Sequence, residues 1–275
     1  MPDDSNFYRV LSAAMRDFEE HGYDNPERLA MWQERLRGAA EAAAGSRAKM
    51  VKRLRDAYAL IYRNLIDKGK IIQQVPGVPR YTLTQLGPKL QDELTKRTMA
   101  SIDLITLNRQ TAVAKAVQRF SGWASSIPKG GSNAIDKKED SDNIRKSIAG
   151  LPFEERRVIV DQGHKFAANL ADVVAKGANA LGAIWHSNWR QGNYDYREDH
   201  KERDGVFYVI RDNWAMQKGL MKLGGHQYAD TITQPAEEPF CRCRFTYVFN
   251  LRSLPEACLT EKGKAALDVA RKSAA

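Results

Sequence analysis

The sequence predicts an α+β protein in which a mostly helical N-terminal region precedes a small α+β domain with a short antiparallel sheet. Apolar residues recur at helical spacing through most of residues 5–123 and again over residues 153–179. Short β-branched and aromatic runs at 181–185, 206–210 and 240–249 favour strands. Helices followed by clustered short strands are typical of the α+β class.

The N-terminal region begins with three predicted helices, at residues 5–20, 26–45 and 46–68. Asn25 is a suitable N-cap for the second helix, and Pro26 fits its first helical position. A further helical pattern, in one rod or two, covers residues 88–123. The whole region, residues 1–124, is interpreted as a docking region.

Two short apolar runs around Pro76-Gly77 predict a β-hairpin near residues 71–84. Together with its flanking helices, this segment resembles the wing of winged-helix DNA-binding domains. The sequence lacks a clear recognition helix joined by a tight turn to the third helix, which a helix-turn-helix requires. The hairpin is equally consistent with a plain connector.

Residues 125–143 contain few large apolar side chains and are rich in glycine, serine and charge. Such a composition predicts a flexible linker. The second domain is then expected over residues 144–275, ending in a helix near residues 260–270.

The charge balance bounds the possible partners. Forty-three lysines and arginines against 34 aspartates and glutamates give a net charge of +9, which favours loose association with a polyanion. No apolar run reaches the roughly 20 residues that cross a bilayer, so the expectation is a protein without a membrane partner, kept in the cytoplasm or in a particle assembled there.

Five cations of the third predicted helix form a candidate nucleic-acid contact. They are Arg47, Lys49, Lys52, Arg53 and Arg55. The alternative is an ordinary solvated helix face, because lysine and arginine are common surface residues.

Two of the three cysteines, Cys241 and Cys243, are one residue apart and open the run predicted as the last strand. Alternate residues on a strand share a face, so both thiols are expected to point the same way. Three cysteines in 275 residues give no disulfide framework. The pair is interpreted as a metal or thiol site, or else as two small buried hydrophobic residues.

Three motifs occur in order around this pair. Trp185 is followed by Arg197-x-x-His200-x-x-x-Asp204-Gly205 and then by Pro239-x-Cys241-Arg242-Cys243-Arg244. In this order and spacing they resemble the C-terminal domain of phage minor head proteins, the Mu F-like head morphogenesis family. The resemblance covers residues 153–251.

The resemblance implies that the His200 loop lies beside the Cys-x-Cys segment, which the spacing alone does not show. One imidazole and two thiolates are ligands that zinc favours, so His200, Cys241 and Cys243 become candidate ligands of one structural zinc ion. A fourth ligand is open, with His186, Asp199 and His226 as candidates. Asp204-Gly205 is interpreted as a turn, and Arg197 and Arg203 as partners of Asp199, Glu202 or Asp204 that fix the loop.

The resulting hypothesis is a non-enzymatic phage virion protein that acts in head morphogenesis near the portal. Its expected partners are portal, major capsid or scaffolding proteins, in several copies, together with double-stranded DNA bound without sequence preference. The expected location is the host cytoplasm and then the virion head. The alternatives are a winged-helix-like DNA-binding regulator and a zinc-dependent nucleic-acid enzyme, although no phosphate loop or His-Glu-x-x-His motif is present.

Overall fold

The computed structural model describes residues 5–132 and 137–272 and confirms an α+β fold with helices before a small sheet. The helices of the first half are α1 (Ser5–His21), α2 (Pro26–Ala44), α3 (Arg47–Tyr62), α4 (Arg80–Gln85), α5 (Gly87–Ser126) and α6 (Lys137–Ala149). The second half contains α7 (Leu151–Gly177), β1 (Gly182–His186), α8 (Glu198–Glu202), β2 (Phe207–Val209), α9 (Trp214–Gln217), β3 (Gln227–Tyr228), β4 (Arg244–Val248) and α10 (Glu261–Lys272). In the described ranges, no helix is both long and apolar enough to cross a bilayer.

The chain forms two compact units, and these do not follow the predicted division in sequence order. The helical unit comprises residues 1–56 and 98–159, and the mixed unit comprises residues 57–97 and 160–275. Each boundary falls inside one of the long helices α3, α5 and α7. A composition break was therefore a poor guide to the units, because a continuous helix can contribute residues to two cores.

The predicted hairpin near residues 71–84 is wrong. The chain there forms a 3₁₀ turn at Lys70–Gln73 and then α4. Ile71, Val75 and Val78 are all buried, and their spacing of four and three residues is that of one helical face.

Much of the predicted linker 125–143 is ordered. Gly130 and Ser132 donate backbone hydrogen bonds to the carbonyl oxygens of His21 and Glu19, at 3.3 and 3.2 Å. Gly131 has a φ of 85°, and a Cβ there would overlap the Glu19 carbonyl. Residues 137–143 already belong to α6, and residues 133–136 lie outside the described ranges.

The core of the helical unit explains why α6 forms. Ile144 and Ile148 of α6 are buried in the same apolar cluster as Phe18 and Phe120. The rings of Phe18 and Phe120 lie edge to face with their centroids 5.8 Å apart. Burial of these side chains orders a helix that its polar composition alone does not favour.

The sheet of the mixed unit has the strand order β3-β2-β1-β4. β1 is antiparallel to both β2 and β4, as predicted, whereas the two-residue strand β3 lies parallel to β2. The mixed character arises because the loop after α9 returns alongside β2 after the glycine pair Gly224-Gly225, both with positive φ.

Candidate metal centre

The structure brings His200, Cys241 and Cys243 together in the mixed unit. His200 Nδ1 lies 3.5 Å from each of the two sulfur atoms. The donor atoms of all three residues lie within 4.8 Å of one another, and all three side chains are buried. This juxtaposition joins α8 to the segment before β4.

The distances from Nδ1 to the two sulfur atoms suit ligands of a single metal ion. Zinc held by nitrogen at about 2.1 Å and by sulfur at about 2.3 Å separates those two atoms by about 3.6 Å, close to the 3.5 Å found here. One imidazole and two thiols are also the donor types that zinc prefers. A buried His200-Cys241-Cys243 cluster can therefore hold a metal ion.

The sequence predicts that the two cysteines open the last strand, but in the structure they lie before it. Both precede β4, in a segment that pairs with no strand. The local chain is shaped by Ala236 and Phe240, which adopt positive φ values of 66° and 61°. Non-glycine residues rarely adopt this conformation, so the surrounding contacts must hold it in place.

Two backbone amides of this loop have specific acceptors. The Ala236 amide donates to Cys241 Sγ at 3.3 Å, and the Phe240 amide donates to Asp161 Oδ1 of α7 at 2.5 Å. Asp161 is buried and also pairs with Lys165 at 3.2 Å, so it anchors the cysteine loop to α7.

A hydrogen bond between the two cysteine side chains favours the thiolate form of Cys241 and the thiol form of Cys243. A hydrogen bond from Cys243, aided by the amides of Cys243 and Ala236, lowers the pKa of Cys241 to about 5. The same hydrogen bond and burial raise the pKa of Cys243, while Ser187 and the Asn188 amide act in the opposite direction. Donors directed at both sulfur atoms are an arrangement that suits metal-bound thiolates.

The second ring nitrogen of His200 faces two carboxylates. Nε2 is buried without a hydrogen-bond partner in the described part of the chain, and it lies 3.8 Å from both Glu238 Oε2 and Asp199 Oδ2. A histidine that ligates a metal through one nitrogen typically donates its other N–H to such a group.

The motif arginines hold these carboxylates. Arg197 Nε lies 2.6 Å from Glu238 Oε2, and Arg203 Nη2 lies 3.0 Å from Asp199 Oδ2. The pairing of Arg203 with Asp199 agrees with the prediction, whereas Arg197 pairs with Glu238, which was not among its predicted partners.

Trp185 forms the apolar wall of the cluster. Its fully buried ring lies edge to face with the His200 ring at a centroid distance of 5.2 Å. The Arg203 guanidinium lies 5.1 Å from the same indole. The imidazole is thereby held between an indole on one side and the two sulfur atoms on another.

Asp204 and Gly205 have different roles. Gly205 has a φ of 81° and donates to the Trp185 carbonyl at 2.8 Å, which agrees with the predicted turn. Asp204 additionally accepts from the Ser187 amide at 2.9 Å and from Trp189 Nε1 at 3.1 Å. The hydrogen bond from Ser187 is the main cause that lowers the pKa of Asp204. Asp204 therefore positions the loop that faces Cys243.

None of the three candidates for a fourth ligand joins the cluster. His226 Nδ1 lies 3.1 Å from the Phe207 carbonyl oxygen, and its ring packs edge to face on Phe207. His186 lies beside Arg244. The pKa of His186 is lowered mainly by burial and to a smaller extent by the positive charge of Arg244. Asp199 lies on the Nε2 side of His200. Among the described residues, the cluster contains three histidine, cysteine or carboxylate donors.

The remaining candidate residues lie at the surface. Arg242 is exposed with its guanidinium 5.4 Å from the Tyr194 ring, and Arg244 is exposed opposite His186 in the β1–β4 register. The five cations of α3 are also exposed, and Lys52 pairs with Asp56 at 2.6 Å. Their arrangement is consistent with either a solvated face or a phosphate contact.

A cleft of about 780 Å³ adjoins the cluster. Both cysteine residues, the α7 residues Ala168 and Asp172, and the loop residues Asn188 and Gln191 contribute to its lining. This cleft was not foreseen, because its walls come from segments far apart in sequence.

Comparison with protein-family models, with curated proteins and with solved structures finds no match. The resemblance to the Mu F-like family therefore stays a prediction that rests on the three motifs.

Proposed function

We propose that this chain is a structural phage virion protein, a minor head protein that acts in head morphogenesis near the portal. One observation supports the proposal above others: the residues that carry the resemblance surround a single buried cluster. Trp185, Arg197 and Arg203 all contact His200 or the carboxylates beside it. Such an arrangement clamps a small sheet together and suits a structural role better than turnover chemistry.

A zinc ion is the proposed clamp, held by His200 Nδ1 and the sulfur atoms of Cys241 and Cys243. Bound zinc would supply folding free energy directly, because the unfolded chain has no preformed site. Glu238 and Asp199 would orient the imidazole, and Ala236 would stabilise the Cys241 thiolate through its amide. The chain therefore offers three donors that zinc favours, together with groups that would orient the imidazole and stabilise a thiolate.

The proposed partners are portal, major capsid or scaffolding proteins, with several copies of the chain in one assembly. The net charge of +9 and the exposed cations of α3 support non-specific contact with packaged double-stranded DNA. The proposed location is the host cytoplasm during assembly and then the virion head.

Co-purification with the portal protein of the same phage tests this function. The expected result is a stable complex, with the chain retained in purified virions. Failure to associate with portal, capsid or scaffolding protein, together with absence from virions, would contradict it.

A zinc-dependent nucleic-acid enzyme is the second candidate, because a three-donor site beside a cleft leaves one coordination position for water. Metal-dependent cleavage of DNA or RNA by the purified chain would favour it. The winged-helix regulator loses its main support with the hairpin. Sequence-selective duplex binding at high salt would be needed to restore it.

A further inference from the structure

The coordination set of the cluster is one donor short of a closed structural zinc site. Structural zinc is almost always held by four protein ligands, whereas the described residues bring three histidine, cysteine or carboxylate donors together. The two nearest carboxylates, those of Glu238 and Asp199, face Nε2, whereas both sulfur atoms contact Nδ1. The two carboxylates are therefore placed to orient the imidazole. Among the described residues, neither of them supplies a fourth donor on the Nδ1 side, where the sulfur atoms lie.

The cleft next to the cluster provides access on the sulfur side. Cys241 and Cys243 both contribute to its lining, and its volume of about 780 Å³ falls in the range of ligand pockets, about 300 to 1,000 Å³. His200 does not line it. An entering group would therefore meet the sulfur atoms first.

The lining of the cleft favours a polypeptide over a nucleic acid. The lining contains three carboxylates, those of Glu93, Asp172 and Glu237, and three cations, Lys176, Arg242 and Arg244. It therefore has no excess of positive charge to attract a phosphate backbone. Side-chain amides, which pair with backbone N–H and C=O groups alike, are also well represented. They are those of Gln74, Asn169, Asn188, Gln191 and Gln234.

We propose that a metal ion held by His200, Cys241 and Cys243 takes its fourth ligand, a cysteine or histidine side chain, from another polypeptide that enters this cleft. The inference rests on the proposed metal centre and deepens the proposed function, since it makes the centre a joint between head components. Either donor type would complete one of the ligand sets common in structural zinc sites, Cys₃His or Cys₂His₂.

Cobalt(II) substitution tests the open position, because the visible absorption of cobalt responds to its ligands. The full chain is loaded with one equivalent of cobalt and titrated with imidazole and with a blocked cysteine, N-acetylcysteine amide. A saturable spectral change with each probe is expected. A cobalt spectrum that neither probe alters would overturn the open position.

Two variants connect that position to the cleft. Ala168→Phe places a ring in the cleft from α7, and we expect it to weaken the imidazole response at least tenfold without changing the cobalt stoichiometry. Val160→Phe, at an exposed position of the same helix, is the matched control and should behave as the parent chain. Equal imidazole responses in both variants, or displacement of imidazole by duplex DNA, would overturn the assignment of the cleft to a polypeptide donor.

The outcomes separate this inference from the proposals beneath it. A chain that binds no cobalt would overturn the metal centre and this inference together. A cobalt centre that responds to imidazole in a chain absent from virions would retain the inference and contradict the head function.

Discussion

Removing the carboxylate of Asp161 should destabilise the mixed unit, because this group anchors the cysteine loop to α7. Its Oδ1 accepts the Phe240 amide at 2.5 Å, and its side chain is only 9% exposed. Phe240 itself has a positive φ of 61°. The hydrogen bond therefore helps to hold a backbone conformation that most residues avoid.

The magnitude follows from two of the three contacts of Asp161, since the third, a hydrogen bond from Gln162 Nε2 at 3.1 Å, joins adjacent residues of α7. A hydrogen bond to a charged group contributes about 1.5 to 3 kcal/mol. The ion pair with Lys165 adds at most about 1 kcal/mol, because a long lysine side chain can turn towards solvent when its partner is removed. Asp161→Ala is therefore expected to lower the free energy of unfolding by about 1.5 to 4 kcal/mol. Asp161→Asn keeps an acceptor oxygen and should cost less.

Urea unfolding at fixed zinc concentration measures the difference, since bound metal adds to apparent stability. Asp92→Asn is a suitable control because its carboxylate is 61% exposed and pairs with exposed Lys96 on the same helix face. That control should stay within about 0.5 kcal/mol of the parent chain. Equal stabilities for Asp161→Ala and Asp92→Asn would refute the anchoring role.

Three further predictions concern the surroundings of the cluster. Glu238→Gln should weaken zinc binding about 10- to 100-fold, measured by competition with a chelator, whereas Glu202→Gln at an exposed position of α8 should not. Gly182→Ala should destabilise the sheet in thermal unfolding, because its Cβ would overlap the Phe207 ring; Gly192→Ala, with open space around it, is the control, and equal melting temperatures would contradict the prediction. The folded pKa of Asp204 lies below its ordinary value of 3.8, so its stabilising effect is fully present above that value and is lost as the pH falls through the lowered folded pKa. The stability difference between the parent chain and Asp204→Asn should accordingly shrink in acid, and a difference that grows there would show the opposite linkage.

The parts of the fold that the sequence predicted are those set by local periodicity. The apolar spacing over residues 153–179 corresponds to α7, and the runs at 181–185 and 206–210 correspond to β1 and β2. In these segments the spacing of the apolar residues is enough to distinguish a helix from a strand. The segment 71–84 failed because proline and glycine suggested a turn between strands, while its buried residues follow a helical spacing.

The candidate site could be predicted only in part. The types of His200, Cys241 and Cys243 suggested metal binding, but their proximity depends on how α8 meets the segment before β4. Asp161 could not be found in this way, because helical periodicity identifies the polar face of α7 and says nothing about a loop 79 residues away. Glu238 offered a signal that was missed, since it lies three residues before Cys241 in the same tight loop.

Zinc content per chain is the most direct test of the proposed centre. Elemental analysis of the purified full chain should give about one zinc per molecule, because structural zinc binds tightly. Cys241→Ser should lose the metal, whereas Cys258→Ala, which changes the buried cysteine of a separate apolar cluster, should retain it. A parent chain without zinc, or a Cys241→Ser variant that keeps a full equivalent, would contradict the account.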